Sequence, residues 1–440
     1  LVAILSDLLA RAEMSKKSLN ILILTPTNKA ADVIAEKLFD DSRCHDSLVR
    51  FGYSDSTKLL SDDSCCFQNR DTMDLNDRND NIMVTTIARY AYDTIQPDST
   101  PICEVNWDYI IVDEASMIDI VPITYLLHKG RGAEFIIAGD PKQITPIPQH
   151  NMPAYNIYDM VKLDSFKDAM SGNTRFPVEC LTTQHRSIPV IGDLVSNFCY
   201  EGLVNNDLNR VPCKPLNLSN ISIKPINFLG FKVEEMDMLY ELSQINESAF
   251  HLYSAIFTYN MVNYTVDQIK LKYKEHYSIG IVCPYKSQAD AIQQMFENRP
   301  ISSSQCEVIC GTVHKFQGDE CDIMFLVLNP PPKTYSGSHI NNTNIINVAM
   351  SRARDYIFFV MPEKDIDGYH IKDRLGQLIK NQDRSIHFCG DIEKLIFGDS
   401  DYIYNNTSIQ CHQPVNVFYD NRAKYEIRLS DTALDIQIND

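Results

Sequence analysis

Two adjacent carboxylates, Asp113 and Glu114, close the apolar run Tyr109-Ile-Ile-Val112. An apolar strand ending in paired acids places them at the carboxyl edge of a parallel sheet, where ligands bind. There Asp113 can hold a divalent cation through water, and Glu114 can take a proton from an attacking water. A second run, Glu134-Phe-Ile-Ile-Ala-Gly-Asp-Pro-Lys-Gln143, ends in a glycine turn and an amide. That amide can donate to a phosphate oxygen and accept from water. Arg186 in Gln184-His-Arg-Ser187, with Arg352 and Arg354 in Asn347-Val-Ala-Met-Ser-Arg-Ala-Arg354, are the candidate cations. A guanidinium offers phosphate a rigid, permanently charged fork. Acids, amide and guanidinium groups are together the parts of a phosphoryl transfer to water. Singly, each has a plain structural reading: a strand before an acidic turn, a Gly-Asp-Pro turn, a surface ion pair worth less than ~1 kcal/mol.

Two further blocks belong to the same series. Ile21-Leu-Ile-Leu-Thr-Pro-Thr-Asn28 is a buried-type strand running into a helix, which Thr27 or Asn28 can cap. Val313-His-Lys-Phe-Gln-Gly-Asp-Glu320 is a polar turn after another strand. The six blocks, in fixed order over residues 21–354, resemble the superfamily 1 helicases. The likeness is strongest to the branch typified by the nonsense-mediated-decay RNA helicase and its bacterial relatives.

The resemblance implies ATP and Mg²⁺ as cofactors, with Asp113 on the metal, Glu114 as general base and Gln143 as the sensor that links hydrolysis to movement. It implies that Arg186 reaches the γ-phosphate from a second domain, that Arg352 is the main arginine finger, and that Arg354 is its helper or a structural pair. Glu320 would accept from the nucleotide ribose or couple it to the strand groove, above a turn made by Gln317 and Gly318. Pro26, Thr27, Asn28 and Thr86 would offer amides and hydroxyls to a phosphodiester backbone, and Thr312 and His314 would also face nucleic acid; for these two an incidental strand end is the bland alternative. Such contacts read no bases, so low sequence specificity is expected and the strand can be DNA or RNA. The implied activity is movement along a single strand, 5′ to 3′ in this branch. Alternatives are a nucleic-acid- or partner-stimulated ATPase that clamps without unwinding, and a relative that has lost its phosphate loop.

The family carries G-x-x-x-x-G-K-[ST] just before the helix leading to the first Thr-Pro-Thr-Asn-like strand, and no such block occurs here. The expectation is that the chain opens inside that helix, and that these residues alone bind nucleotide poorly and are inactive.

Positioning these groups requires alternating strands and helices. Helices are expected at 1–14, 28–39, 190–198, 286–297 and 344–354, and strands at 21–25, 82–86, 109–113, 134–138, 279–283, 306–311, 323–328 and 356–361. Such alternation implies parallel sheets with helical crossovers. The fold class expected is α/β: two RecA-like parallel-sheet domains of the P-loop NTPase fold, with the ATP site in the cleft between them. The first would span 1–173 with a polar insertion at about 40–80. The second would span 174–384 with an irregular insertion at about 205–275. Residues 385–440 would form a small β-rich appendage, with strands at Tyr402-Ile-Tyr, Val415–Tyr419 and Tyr425–Leu429, able to dock a protein partner.

Composition sets outer limits. A chain of 440 residues with 44% apolar residues can bury sizeable cores. No apolar stretch approaches the ~20 residues of a membrane span. Thirteen scattered Cys, with no C-x-x-C pair, give neither a disulfide framework nor a zinc module, so a reducing cytosol is the expected setting. A net charge of −18 argues against a nucleic-acid coat protein but not against a motor that grips one strand in a narrow groove.

Overall fold

Strands whose every residue is apolar need cover on both faces, and the central strands of the two six-stranded sheets have it. The computed structural model describes residues 1–440 except 62–64, 69–79, 96–99, 148–153, 164, 173, 211–212, 246, 302, 317, 381–382, 413–423, 430–431 and 440. The chain divides into two compact units, Leu1–Ser165 with Asn173–Pro177, and Phe166–Gly172 with Val178–Asp440.

The main sheet of the first unit has six strands among the described residues: β1 Asn20–Thr25, β2 Leu48–Phe51, β3 Cys66–Phe67, β4 Asn81–Thr86, β5 Tyr109–Val112 and β6 Glu134–Ile137. Their order is β3-β2-β4-β1-β5-β6, every pair parallel. Alternation along β1 serves two cores. Ile21 and Ile23 pack with Leu5, Leu9 and Ala31 from the helices Val2–Ser15 and Asn28–Phe39. Leu22 and Leu24 join Tyr90, Trp107 and Leu126 on the other face.

The polar insertion expected at 40–80 is corrected in part. It supplies β2 and β3, and β2 is wholly buried. Arg50 interrupts the apolar run Leu48-Val-Arg-Phe51 and hid the strand from a hydrophobic pattern. Its guanidinium is nevertheless fully buried, with Nε donating to Asp32 Oδ1 at 2.7 Å.

The second unit repeats the plan with β7 Ile226–Phe231, β8 Tyr277–Cys283, β9 Cys306–Thr312, β10 Cys321–Val327, β11 Ala353–Pro362 and β12 Arg384–Phe388. The order is β9-β8-β10-β11-β7-β12, again all parallel. Together the two sheets make the α/β, twin RecA-like architecture.

The irregular insertion expected at 205–275 is a second correction. It contributes β7 and the helix Leu252–Lys272, both built into the core. A helix buried nearly all round shows no amphipathic stripe. Its polar residues are satisfied internally instead: Thr258 Oγ1 donates to Ser254 O at 2.7 Å and Thr265 Oγ1 to Met261 O at 2.8 Å.

The carboxyl-terminal segment is not wholly β-rich. β12 begins at Arg384 and closes the second sheet, and the helix Cys389–Phe397 follows. Tyr402-Ile-Tyr, expected as a strand, lies in the helix Tyr402–Asn406, where the Tyr402 ring stacks on Phe397 at 4.1 Å and Ile403 is buried. Strands Thr407–His412, Lys424–Leu429 and Thr432–Asn439 then form an antiparallel sheet. The strand expected at Val415–Tyr419 lies outside the described residues. Among the described residues no helix is long and apolar enough to cross a membrane.

One buried acid ties these last helices to the core. Glu393 accepts from the Tyr253 hydroxyl and, at 2.7 Å, from the Ile403 N–H. Burial pushes its carboxyl up from 4.5 to about 7, aided by Asp401 and Asp399 and opposed by the two hydrogen bonds. A carboxyl whose pKa is raised on folding stabilises the fold in its protonated form. That stabilisation is complete below about pH 4.5 and is lost as pH rises through about 7. The unfolding free energy should therefore fall by about 3 kcal/mol across that window, and Glu393→Gln should flatten the change. Equal slopes in the two proteins would remove Glu393 as the cause.

Candidate active site

The carboxyl edge of the first sheet lines up the acids. Thr25 is in register with Thr86, and Leu24 with Val112, so Asp113 falls beside Thr25. Val112 is in register with Ile137, which brings Ala138-Gly139-Asp140 to the same edge. Asp113 N donates to Leu24 O at 2.9 Å, and Asp113 Oδ1 accepts from Glu114 N at 2.9 Å. Burial raises the Asp113 carboxyl above its ordinary range, and the Glu114 N–H works against that rise.

Glu114 sits at φ 52°, ψ 40°, a left-handed conformation that costs a residue with a Cβ on the order of 1 kcal/mol. The turn that imposes it is tightly held. Ala115 N donates to Ala138 O at 3.0 Å, and Asn156 Nδ2 donates to Ser116 O at 2.9 Å. Gly139 has φ 153°, and a Cβ there would lie 2.8 Å from Ala115 N and 2.9 Å from the Tyr158 hydroxyl oxygen. Only glycine lets the two turns close on each other. Asp140, next in the chain, accepts from Lys142 N at 2.8 Å and from Gln143 Nε2 at 3.4 Å. The structure thus joins Asp113, Glu114 and Gln143 in one edge assembly.

Asn156 and Tyr158 were not singled out from sequence. Asn156 caps the short helix Ile157–Val161 in a capping box with Asp159, a spacing readable as a helix start. Tyr158 is raised well above the ordinary phenol value by burial first, then by Asp140, Asp113 and Glu114. Its hydroxyl reaches the Gly139 turn through folding alone, with no local signal.

At the same edge Thr27 Oγ1 caps its helix by accepting from Ala30 N at 3.2 Å. Asn28 follows Pro26 and Thr27, and its Oδ1 accepts from Arg50 Nη2 at 3.3 Å. Thr86 ends β4 and is mostly buried.

In the second unit Arg186 and Arg354 converge on one carboxylate. Arg186 Nε donates to Glu320 Oε2 at 2.7 Å and Arg354 Nη1 lies 3.3 Å from Glu320 Oε1, all three side chains being 35–42% exposed. Arg186 Nη1 also donates to Ser351 O at 2.9 Å. The backbone beneath is rigid: Ser187 Oγ donates to Ala353 O at 2.5 Å, and Ile188 N donates to Arg354 O at 2.9 Å. Arg210, from the segment expected to be irregular, donates from Nε to Arg186 O at 2.8 Å and from Nη2 to Arg354 O at 3.0 Å. Its buried pairing with Asp355 at 2.5 Å fixes that bridge. Arg352 is only 3% exposed. Gln317 lies outside the described residues, while Gly318 adopts φ 86° in the turn before Glu320.

Thr312 and His314 are not part of this cluster. Thr312 ends β9 at the carboxyl edge, in register with Cys283, whereas Glu320 precedes β10 and Arg354 sits at the start of β11, the amino edge. Burial pushes the His314 imidazole below its ordinary value.

Family profiles described as AAA domain match residues 2–149 and 162–364. Each matched region contains one of the two edge assemblies. The chain belongs to the superfamily 1 helicases. The chain is 23% identical to replicase polyprotein 1ab of Alphamesonivirus 1 over 369 residues, covering 80% of this chain and 6% of that polyprotein. It is also 23% identical to helicase sen1 of Schizosaccharomyces pombe over 308 residues, covering 67% of this chain and 17% of that protein. The chain thus spans a small part of the length of the curated relatives it matches. The structure of an arterivirus nonstructural protein 10 helicase with DNA aligns at 13% identity over 82% of this chain and 57% of that one, with a TM-score of 0.36; likeness at that level carries no argument about the helicase site.

Proposed function

We propose that this helicase-family chain couples ATP hydrolysis to movement along single-stranded DNA or RNA. The observation that carries the reading is the joined turn in which Gly139 lets the Asp113-Glu114 strand end close on the turn bearing Gln143. That joint gives hydrolysis and sensing one mechanical body.

The residues fit Mg²⁺. Asp113, Glu114 and Asp140 are hard oxygen donors at one edge of the first sheet. Among the described residues no group of three His, Cys, Asp or Glu side chains forms a metal cage. Mg²⁺ needs none, because it takes one or two carboxylates and completes its shell with water and substrate phosphates. Asp113 would hold it, and when bound it neutralises charge on the phosphates. Glu114 takes the proton of the water whose oxygen attacks the γ-phosphorus as the bridge to ADP breaks. Gln143 orients that water or reports the phosphate. Arg186, Arg352 and Arg354 supply positive charge to the phosphates, and Glu320, with Gln317 and Gly318, meets the ribose or holds the guanidinium groups in waiting. Pro26, Thr27, Asn28 and Thr86, and on the second unit Thr312 and His314, contact the strand backbone. The direction, 5′ to 3′, follows from the branch resemblance.

The test is ATP hydrolysis by the intact protein with and without single-stranded DNA or RNA, beside displacement of a strand from a duplex. Stimulation by one polymer together with displacement is expected. Stimulation without displacement would favour a clamp, and hydrolysis indifferent to both polymers would reject the motor.

A further inference from the structure

The carboxyl edge of the first sheet continues past Thr86 to an aromatic ring that the proposed mechanism does not use. Arg50 is in register with Val84, and Thr85 Oγ1 donates to Phe51 O at 2.8 Å, so Gly52 falls level with Thr86 and Tyr53 just beyond. The Tyr53 side of the edge is held from beneath by the fully buried Arg50. Its Nη2 donates to Tyr53 O at 2.7 Å and to Asn28 Oδ1 at 3.3 Å, and its Nη1 donates to Phe51 O at 2.6 Å. One guanidinium therefore fixes the Tyr53 loop to the Thr-Pro-Thr-Asn turn. The Tyr53 ring is 55% exposed, and its hydroxyl donates to Asp55 Oδ1 at 2.5 Å, which limits its rotation.

A cation packs against the residue before it, Gly52. Gly52 has φ 118°, and a Cβ there would meet Arg89 Nε at 2.6 Å. The absence of that Cβ lets the Arg89 guanidinium lie across the turn, 5.0 Å over the Phe51 ring, paired at 2.6 Å with Asp93. An exposed aromatic face on a turn that also carries a guanidinium can hold an unpaired nucleotide, the ring stacking on a base and the cation serving the backbone.

We propose that Tyr53, with Arg89 laid over Gly52, is a base-stacking subsite for a single-stranded nucleic acid, extending the row Thr86, Thr27 and Asn28. The inference rests on the strand-binding reading of the first unit. Arg50 is a positioning residue for it, and stacking accepts any base, in keeping with low sequence specificity.

The experiment is fluorescence anisotropy of the intact protein with labelled DNA and RNA oligomers, each in a normal and an abasic form. Tyr53→Ala should weaken binding of the normal strands roughly 5- to 100-fold and leave the abasic strands bound as by the unsubstituted protein. Tyr53→Phe should retain normal binding. Gly52→Ala, which displaces Arg89, should weaken both forms. If Tyr53→Ala binds normal strands like the unsubstituted protein, the subsite is wrong while strand binding stands. Equal loss on normal and abasic strands would also overturn it, since no base is then stacked. If the unsubstituted protein binds no strand, the strand-binding reading fails first and takes the subsite with it. A loss confined to DNA or to RNA would name the strand and support the subsite.

Discussion

Glu114→Gln should lower strand-stimulated ATP hydrolysis about 10²- to 10⁴-fold in kcat, the usual contribution of a positioned general base, with KM for ATP changed only a few-fold. The substitution keeps the size of the side chain. The backbone at φ 52° and the Glu114 N–H to Asp113 bond are retained, so nucleotide and metal binding should survive. Steady-state hydrolysis beside equilibrium nucleotide binding separates the two effects. A kcat equal to that of the unsubstituted protein would remove Glu114 from the base role. Glu114→Gly is a useful companion: it relieves the left-handed backbone and also deletes the carboxylate. It should be as inactive as Glu114→Gln and no less stable.

Arg186→Ala should cost about 10³-fold or more in kcat if its guanidinium stabilises the transferring phosphoryl group. The fold should hardly notice. A part-exposed ion pair such as Arg186 with Glu320 contributes about 0–1 kcal/mol, and the local backbone is held by Ser187, Ile188 and Arg210 instead. For the same reason the guanidinium can leave Glu320 for a phosphate at little expense. The expected signature is a large fall in kcat with an unchanged unfolding midpoint; a shifted midpoint with normal kcat would make Arg186 structural. Motif position favours Arg352 as the main finger. Its side chain is buried, so Arg352→Ala would confound catalysis with folding, and Arg186 with Arg354→Ala gives the cleaner ranking.

Much of this protein was legible in order and spacing. Strands whose residues are apolar throughout, such as Ile21–Leu24 and Ile323–Val327, announce themselves because a parallel sheet is covered on both faces. Asp113, Glu114 and Gln143 were readable because each stands at a strand end or in the turn after one, where local pattern and site coincide. β2 was not legible, because the buried Arg50 interrupts its apolar run and its partner Asp32 lies on a helix eighteen residues earlier. The helix Leu252–Lys272 was not legible either, since burial on all sides erases the periodicity that marks a surface helix.

The sequence by itself determined the two-sheet plan, the acids and amide at the first edge, and the family. It did so because strand-end chemistry is local. Only the tertiary structure decided which groups meet. It brought Arg186, Glu320 and Arg354 together across more than a hundred residues of chain. It also tied Arg50 to both Asn28 and Tyr53, and set the Tyr158 hydroxyl against the Gly139 turn. Parallel strands have crossovers between them, so residues adjacent at a sheet edge are distant in the chain, and no local pattern records that adjacency.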